Sequence, residues 1–551
     1  MNLLDSHSGA PTPTPGKASA TAPESFPGFG EGAPLDLPSL TPAATAGILS
    51  RLIDGTSDAF ADALASAGNC TSPIRLTGHS LTLDRTTGEV ISSYSSATAP
   101  LGEVLIPCGN RRAHICPACS RVYARDTFEL IRAGVAGGKT IPATVAGSPL
   151  LFVTFTAPSF GYVHGTRPGG GKCRPRSSDR VQICPHGVRL ACNVAHDEED
   201  PRVGSPLCSD CYDWTTAVVW QWHAPELWRR TTIAIRRRLA HALGLAPSRL
   251  RDVASLQFAK VAEYQARGAV HFRALIRLDG PDGPGSRAPL DGEHLAQVVR
   301  DAAASVTCPA PPAATWDVPR TLAWGRQLDV RTVTNGPSHL RTSDELSAGQ
   351  VAGYLAKYAT KDATDLRTHA PRPHLARLAE HARHLGMLAH VRDARRHLRK
   401  TPPAGALDPK TNRDTYALLG KWAHMLGFRG HFATKSRHYS VTLGRLRRAR
   451  QRFQRLTAQA QREGRPLDTR DLEARLLADD DNETTLVIGS WTYAGTGWPR
   501  PGEATLATAA AARAREYDQW RAEHRRHHDW RSTTTPSDER NCHGPAACTA
   551  A

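Results

Sequence analysis

Lys260-Val261-Ala262-Glu263-Tyr264-Gln265-Ala266-Arg267-Gly268-Ala269-Val270-His271-Phe272-Arg273 reads as the end of one strand, a short turn and the start of a second strand. The strands extend over Leu256–Tyr264 and Ala269–Leu278, with Gln265-Ala266-Arg267-Gly268 between them. Alternate residues of a strand share a face, so His271 and Arg273 point the same way. The turn folds Glu263 and Gln265 back opposite them. Glu263 and His271 then converge, a carboxylate and an imidazole suited to Mg²⁺ or Mn²⁺. Taken alone, the same pattern also describes an ordinary half-buried hairpin with a polar face.

Outward from the hairpin, Val351-Ala352-Gly353-Tyr354-Leu355-Ala356-Lys357-Tyr358-Ala359-Thr360-Lys361 is built from helix formers, with Ser347 able to cap the first turn. Positions four apart share a helix face, which sets Tyr354 beside Tyr358, with Lys357 and Lys361 flanking them. A phenol with a pKa of about 10 is a weak nucleophile at neutral pH. Neighbouring ammonium groups favour its phenolate and hold a phosphate for attack. The competing reading is an amphipathic helix with core aromatics.

Upstream, Leu150–Thr156 is β-branched and aromatic between Pro149 and Pro158, and reads as a buried strand. A loop-rich insert follows at 161–213, then a long helical stretch, Trp214–Leu243, carrying Arg229, Arg230, Arg236, Arg237 and Arg238. Leu328–Val333 adds a strand. The chain divides into a disordered Pro/Ala-rich lead (1–45), a helix with the first cysteines (46–148), the hairpin-bearing domain (149–370), a basic helical region (371–480) and a weakly structured tail (481–551). The fold class is α+β.

The 551 residues carry 69 Lys plus Arg against 52 Asp plus Glu, a net charge of +17 that points to a polyanion, most simply nucleic acid. Trp228–Arg238 and Arg437–Arg455 are the candidate duplex contacts. The Met1 region has no apolar signal core and no window reaches membrane-span length, so a cytoplasmic protein is expected. There, the 12 cysteines read as metal ligands before disulfides. Cys70, Cys108, Cys116 and Cys119 form one structural Zn²⁺ set, and Cys184, Cys192, Cys208 and Cys211 a second. Cys173, His186 and His196 are spares able to replace or supplement a member.

These segments, in this order, resemble the HUH endonucleases that initiate rolling-circle replication, and more closely the replication initiators of actinomycete plasmids and integrative elements. The resemblance rests on Cys108–Arg112, Phe152–Phe160, Cys184–Gly187, Leu207–Asp213, Ala224–Trp228, Glu263–Gly268, Tyr354–Lys361 and Trp422–Gly430. It covers roughly residues 68–450. It implies an HUH-type antiparallel sheet with flanking helices. It further implies a divalent ion held by Glu263 and His271, and a tyrosine that attacks one strand of an origin. Attack leaves a 5′-phosphotyrosine link and a 3′-hydroxyl primer for the host helicase and polymerase. Tyr358 is the first candidate, being set between Lys357 and Lys361. Related single-tyrosine initiators carry a carboxylate where Tyr354 stands, which favours Tyr354 as a second nucleophile.

One residue departs from the pattern: where the family has His-x-His, this chain has His271-Phe272-Arg273. Arginine cannot ligate a cation. Gln265, water or another histidine then completes the site, or metal binding is weakened, or Arg273 clamps the scissile phosphate, or nicking is lost. The alternatives to a nickase are a non-catalytic zinc-binding repressor or origin binder, and an HUH transposase or relaxase.

Overall fold

The hairpin forms the centre of a five-stranded antiparallel sheet. Its order is Ala433–Lys435, Ser255–Tyr264, Val270–Asp279, Leu150–Phe155, Leu328–Thr332. The computed structural model describes residues 40–99, 101–176, 180–333, 348–359, 372–399, 407–408, 413–478 and 485–534. Mixed helices and antiparallel sheets make the fold α+β. The turn closes through the Gly268 N–H to the Gln265 carbonyl (2.8 Å). Gly268 sits at φ +78, and an added Cβ there would press on Leu375 and Leu378. Both backbone and packing therefore demand glycine.

Each face of the sheet has its own apolar layer, because every strand alternates. Leu151, Val153, Phe155, Phe272, Ala274 and Ile276 face the helix Trp214–Ala242 and the helix Gly292–Ser305. Trp228 meets the rings of Phe155 and Phe272 edge-on, at 5.6 and 6.1 Å. Leu150, Phe152, Ala259, Val261 and Leu275 face the other way, against helix Pro117–Ala136 and helix Ala348–Ala359. Gly134 in the first of these lies against the buried Tyr439, whose ring a Cβ would meet at 2.2 Å.

Several segments differ from expectation. A helix begins at Pro42, inside the stretch read as a disordered lead, and Ser57–Ser66 follows as a second short helix. Ala433–Lys435 supplies an edge strand and Tyr439 a core ring, so the 371–480 stretch does not stand apart as a helical region. The stretch after 480 is not weakly structured over its described residues. Thr485–Thr496 pairs along the whole of Ile74–Asp84, within a four-stranded sheet that also holds Val90–Ser95 and Val104–Ile106. Helix Glu503–Thr534 then returns to the N-terminal helix, where Glu503 accepts from Arg51 Nε at 2.6 Å in a buried ion pair. Thr485–Thr496 is largely exposed and Ile74–Asp84 mostly half-buried, so neither strand shows the buried/exposed alternation of a core strand.

Candidate active site and metal-ligating groups

Antiparallel register sets Glu263 directly opposite His271 and Val261 opposite Arg273, while Thr154 pairs with Arg273 from the other side. The side chains of Glu263, His271 and Arg273 meet on the sheet face that carries the tyrosine helix. His271 Nε2 lies 2.7 Å from Glu263 Oε2, and Arg273 Nε donates to the same oxygen at 2.8 Å. Burial alone would raise the Glu263 carboxyl. Hydrogen bonding from His271 and the positive charges of His271 and Arg273 outweigh it and hold the group below the usual carboxylate range.

Tyr354 completes this cluster. Its ring packs edge-on against Phe152 (6.1 Å between centroids), and the Arg273 guanidinium sits 4.5 Å from its centre. That is a cation–π contact, within the roughly 6 Å over which such pairs attract. Tyr354 is half-buried and Lys357 is exposed. Tyr358 lies in the same helix, one turn on, but its side chain is outside the described residues, as is the whole of Lys361. The Gln265 amide oxygen accepts from Arg267 Nε at 2.8 Å. Arg267 also donates to the Pro158 and Ala157 carbonyls (2.7 and 2.8 Å), tying the hairpin turn to the end of the Leu150–Phe155 strand.

Cys70, Cys108, Cys116 and Cys119 come together at the N-terminus of helix Pro117–Ala136. Cys70 Sγ lies 3.7 Å from Cys116 Sγ and 3.6 Å from Cys119 Sγ. Sulfurs around a tetrahedral Zn²⁺ at about 2.3 Å stand about 3.8 Å apart, whereas a disulfide needs about 2.05 Å. All ten described cysteines are free. A second group joins Cys184, His186, Cys208 and Cys211, with His186 Nδ1 3.2 Å from Cys211 Sγ and 3.7 Å from Cys208 Sγ. Both groups are arranged to bind a metal ion such as zinc.

The second set therefore differs from the four thiols read from spacing. Cys192 lies elsewhere, beside Cys173 and His196. A β-bridge between Arg174 and Cys192 folds those two cysteines towards each other, and His186 occupies the vacated place. The Cys-Pro-His-Gly run was the available signal, since Gly187 at φ +76 turns the chain so that Cys184 and His186 face one point.

The profile described as "RepSA: Replication initiator protein, pSAM2" matches residues 56–512. The chain belongs to this replication initiator family. A replication initiator protein of Streptomyces ambofaciens is 41% identical over 456 residues, 82% of this chain and 89% of the relative. No solved structure matches.

For a replication initiator the arginine stretches are of direct interest, and they divide. Arg229, Arg230, Arg237 and Arg238 line a cleft of ≈ 840 Å³ between helices Trp214–Ala242 and Gly292–Ser305. Arg229 and Arg230 there share Glu226. In helix Leu443–Arg462 much of the charge holds the fold instead. Arg450 pairs with Asp126, and Arg445 and Arg452 donate to the carbonyls of Leu477 and Ala478 (2.7 and 2.6 Å). Among the described residues no helix is long and apolar enough to cross a membrane.

Proposed function

We propose that this replication initiator binds an origin and nicks one DNA strand through a tyrosine of helix Ala348–Ala359, starting rolling-circle replication as an HUH-type nuclease. The observation that carries this reading is the packing of Tyr354 against Arg273, on the sheet face where Glu263 and His271 meet. A core aromatic has no need of that polar cluster.

Glu263 and His271 would hold the divalent ion. Two ligands at about 2.1 Å in adjacent octahedral positions lie about 3.0 Å apart, near the 2.7 Å between these donor atoms. Mg²⁺ commonly takes few protein ligands and fills the remainder with water and phosphate oxygens, so a two-residue site fits it. When bound, the ion polarises the scissile phosphate. Arg273 contributes a fixed charge beside it, suited to a phosphate oxygen and to a phenolate in the Tyr354 position. The phenolic oxygen of Tyr358, or of Tyr354 in a second transfer, forms the new P–O bond while the bond to the 3′-oxygen breaks. The phenolic proton is balanced by the proton the 3′-hydroxyl gains. Zinc at the two cysteine-rich groups has a structural role, since four protein ligands leave no open position.

The test is incubation of the full chain with origin single strands and Mn²⁺, followed by a denaturing gel. A covalent protein–DNA adduct is expected, lost by orders of magnitude in Tyr358→Phe and abolished in the Tyr354→Phe/Tyr358→Phe double variant. Binding without any adduct, in the natural chain and in Arg273→His alike, overturns the nickase reading in favour of a non-catalytic origin binder.

A further inference from the structure

The two spare ligands Cys173 and His196, the displaced Cys192 and one further histidine, His164, gather in the insert. His164, Cys173, Cys192 and His196 place their ligand atoms all within 4.8 Å of one another. His164 Nδ1 is 3.2 Å from His196 Nε2, and Cys192 Sγ is 3.4 Å from the same nitrogen. Around a tetrahedral zinc with bonds of about 2.0–2.1 Å to nitrogen and about 2.3 Å to sulfur, N···N and S···N edges measure about 3.3 and 3.5 Å. The two observed edges match these.

The surroundings are those of a built site. His196 is buried, and its Nδ1 lies 2.7 Å from Asp200 Oδ2. Asp200 is itself fixed by Arg202 through Nε (3.1 Å) and Nη2 (2.8 Å). A carboxylate on Nδ1 fixes the tautomer that leaves Nε2 facing the group, the arrangement usual behind a ligating histidine. The Gly165 N–H donates to Cys173 Sγ at 3.2 Å, as suits a thiolate. Two thiolates and two neutral imidazoles around Zn²⁺ also leave no net charge to bury.

We propose that His164, Cys173, Cys192 and His196 hold a third, Cys₂His₂ zinc ion, separate from the two groups described above. The loop leaving this group reaches the hairpin. Gly204 lies so close to the turn that a Cβ would come 2.3 Å from the Ala266 carbonyl, and Arg372 donates to the carbonyls of Val203 and Glu198. His374, two residues after Arg372, lies 2.9 Å from the Ala266 carbonyl oxygen. The ion thereby braces the turn beyond Glu263 and His271.

Zinc counting and cobalt spectroscopy on the full chain test this without reference to DNA cleavage. The three groups present four, three and two thiolates, so Cys173→Ser should release one metal equivalent. The Co²⁺-loaded difference spectrum against the natural chain should show a two-sulfur, two-nitrogen centre. Unchanged metal content and an unchanged cobalt spectrum overturn the proposal, whatever the nicking assay reports. Should Cys173→Ser fail to fold, Asp200→Asn serves in its place. One of the bound zinc ions is then expected to yield to a competing chelator with affinity weakened about 10–100-fold. Zinc retained at natural affinity in that folded variant refutes the site equally well.

Discussion

The central sheet and the 161–213 insert bury polar groups in opposite ways. The sheet is closed on both faces by apolar side chains such as Trp220, Phe155, Phe272 and Leu275, all essentially inaccessible. Each such burial contributes about 1.5–3 kcal/mol. Within that shell it carries Arg277, Asp279 and Lys260, with no need of a metal ion. The insert has almost none of this. Its buried hydrophobic side chains are chiefly the cysteines themselves, with Val203 and, where it joins the main core, Tyr212, and its backbone is held by isolated bridges rather than a sheet. Ordering that much chain costs about 1–2 kcal/mol per residue in backbone entropy. The apolar burial in the insert is small beside that cost, and metal coordination at the proposed zinc groups would supply the difference.

Loss of zinc from the insert should have the largest effect. Structural zinc sites carry apparent binding energies of about 10–16 kcal/mol, which is folding energy for the segment they organise. Under reducing conditions with a strong chelator, amides in 161–213 should lose hydrogen-exchange protection while Phe272–Ile276 stay protected. Protection retained throughout the insert after measured zinc loss means that it has a core we have not recognised.

The same contrast explains what could be read from the sequence. The sheet announced itself because burial follows period two, and the opposition of Glu263 and His271 follows from that period and a four-residue turn. The first cysteine group was also legible, since Cys70 was the sole nearby partner for Cys108, Cys116 and Cys119. The insert was not. Which cysteine joins which histidine is decided by the Arg174–Cys192 and Ile183–Arg189 bridges, single contacts with no repeating pattern behind them. His164 sits at the start of the insert and carried no spacing signal at all. The strand Thr485–Thr496 pairs with Ile74–Asp84, which lies so far away in sequence that nothing local links them.

In the sheet, Arg277 is a buried charge held by protein groups alone. Its guanidinium is fully buried and donates through Nε to Asp279 Oδ1 and through Nη2 to Oδ2, each at 2.9 Å, as well as to the Gly134 and Tyr439 carbonyls. Asp279→Ala leaves that charge without its counter-ion, and removing one partner of a buried pair costs about 3–5 kcal/mol. Urea unfolding should register that loss, while zinc content stays unchanged because none of the metal-ligating groups is nearby in sequence or sheet. The double change Arg277→Met/Asp279→Leu should recover part of it. A cost below about 1 kcal/mol for Asp279→Ala would mean that the two carbonyls satisfy Arg277 by themselves.

Lys260 gives the smallest effect and the cleanest sign. It points into the opposite layer, where Nζ donates to the His431 carbonyl at 3.0 Å and lies 4.2 Å from the centre of the Phe272 ring. Burial pulls its ammonium down to about 7, against about 10.4 in an unfolded chain. Between those values the unfolded state binds the extra proton, so stability rises with pH. The cost of burying the charged form is complete below about 7 and gone above about 10.4. One proton gives a slope of up to about 1.4 kcal/mol per pH unit within that window. Lys260→Met removes the titrating group, so urea midpoints measured from pH 7 to 9 should climb in the natural chain and run flatter in the variant. Parallel curves would show that the carbonyl and the ring hold the ammonium charged, and that the apolar layer tolerates a full cation without any neighbouring anion.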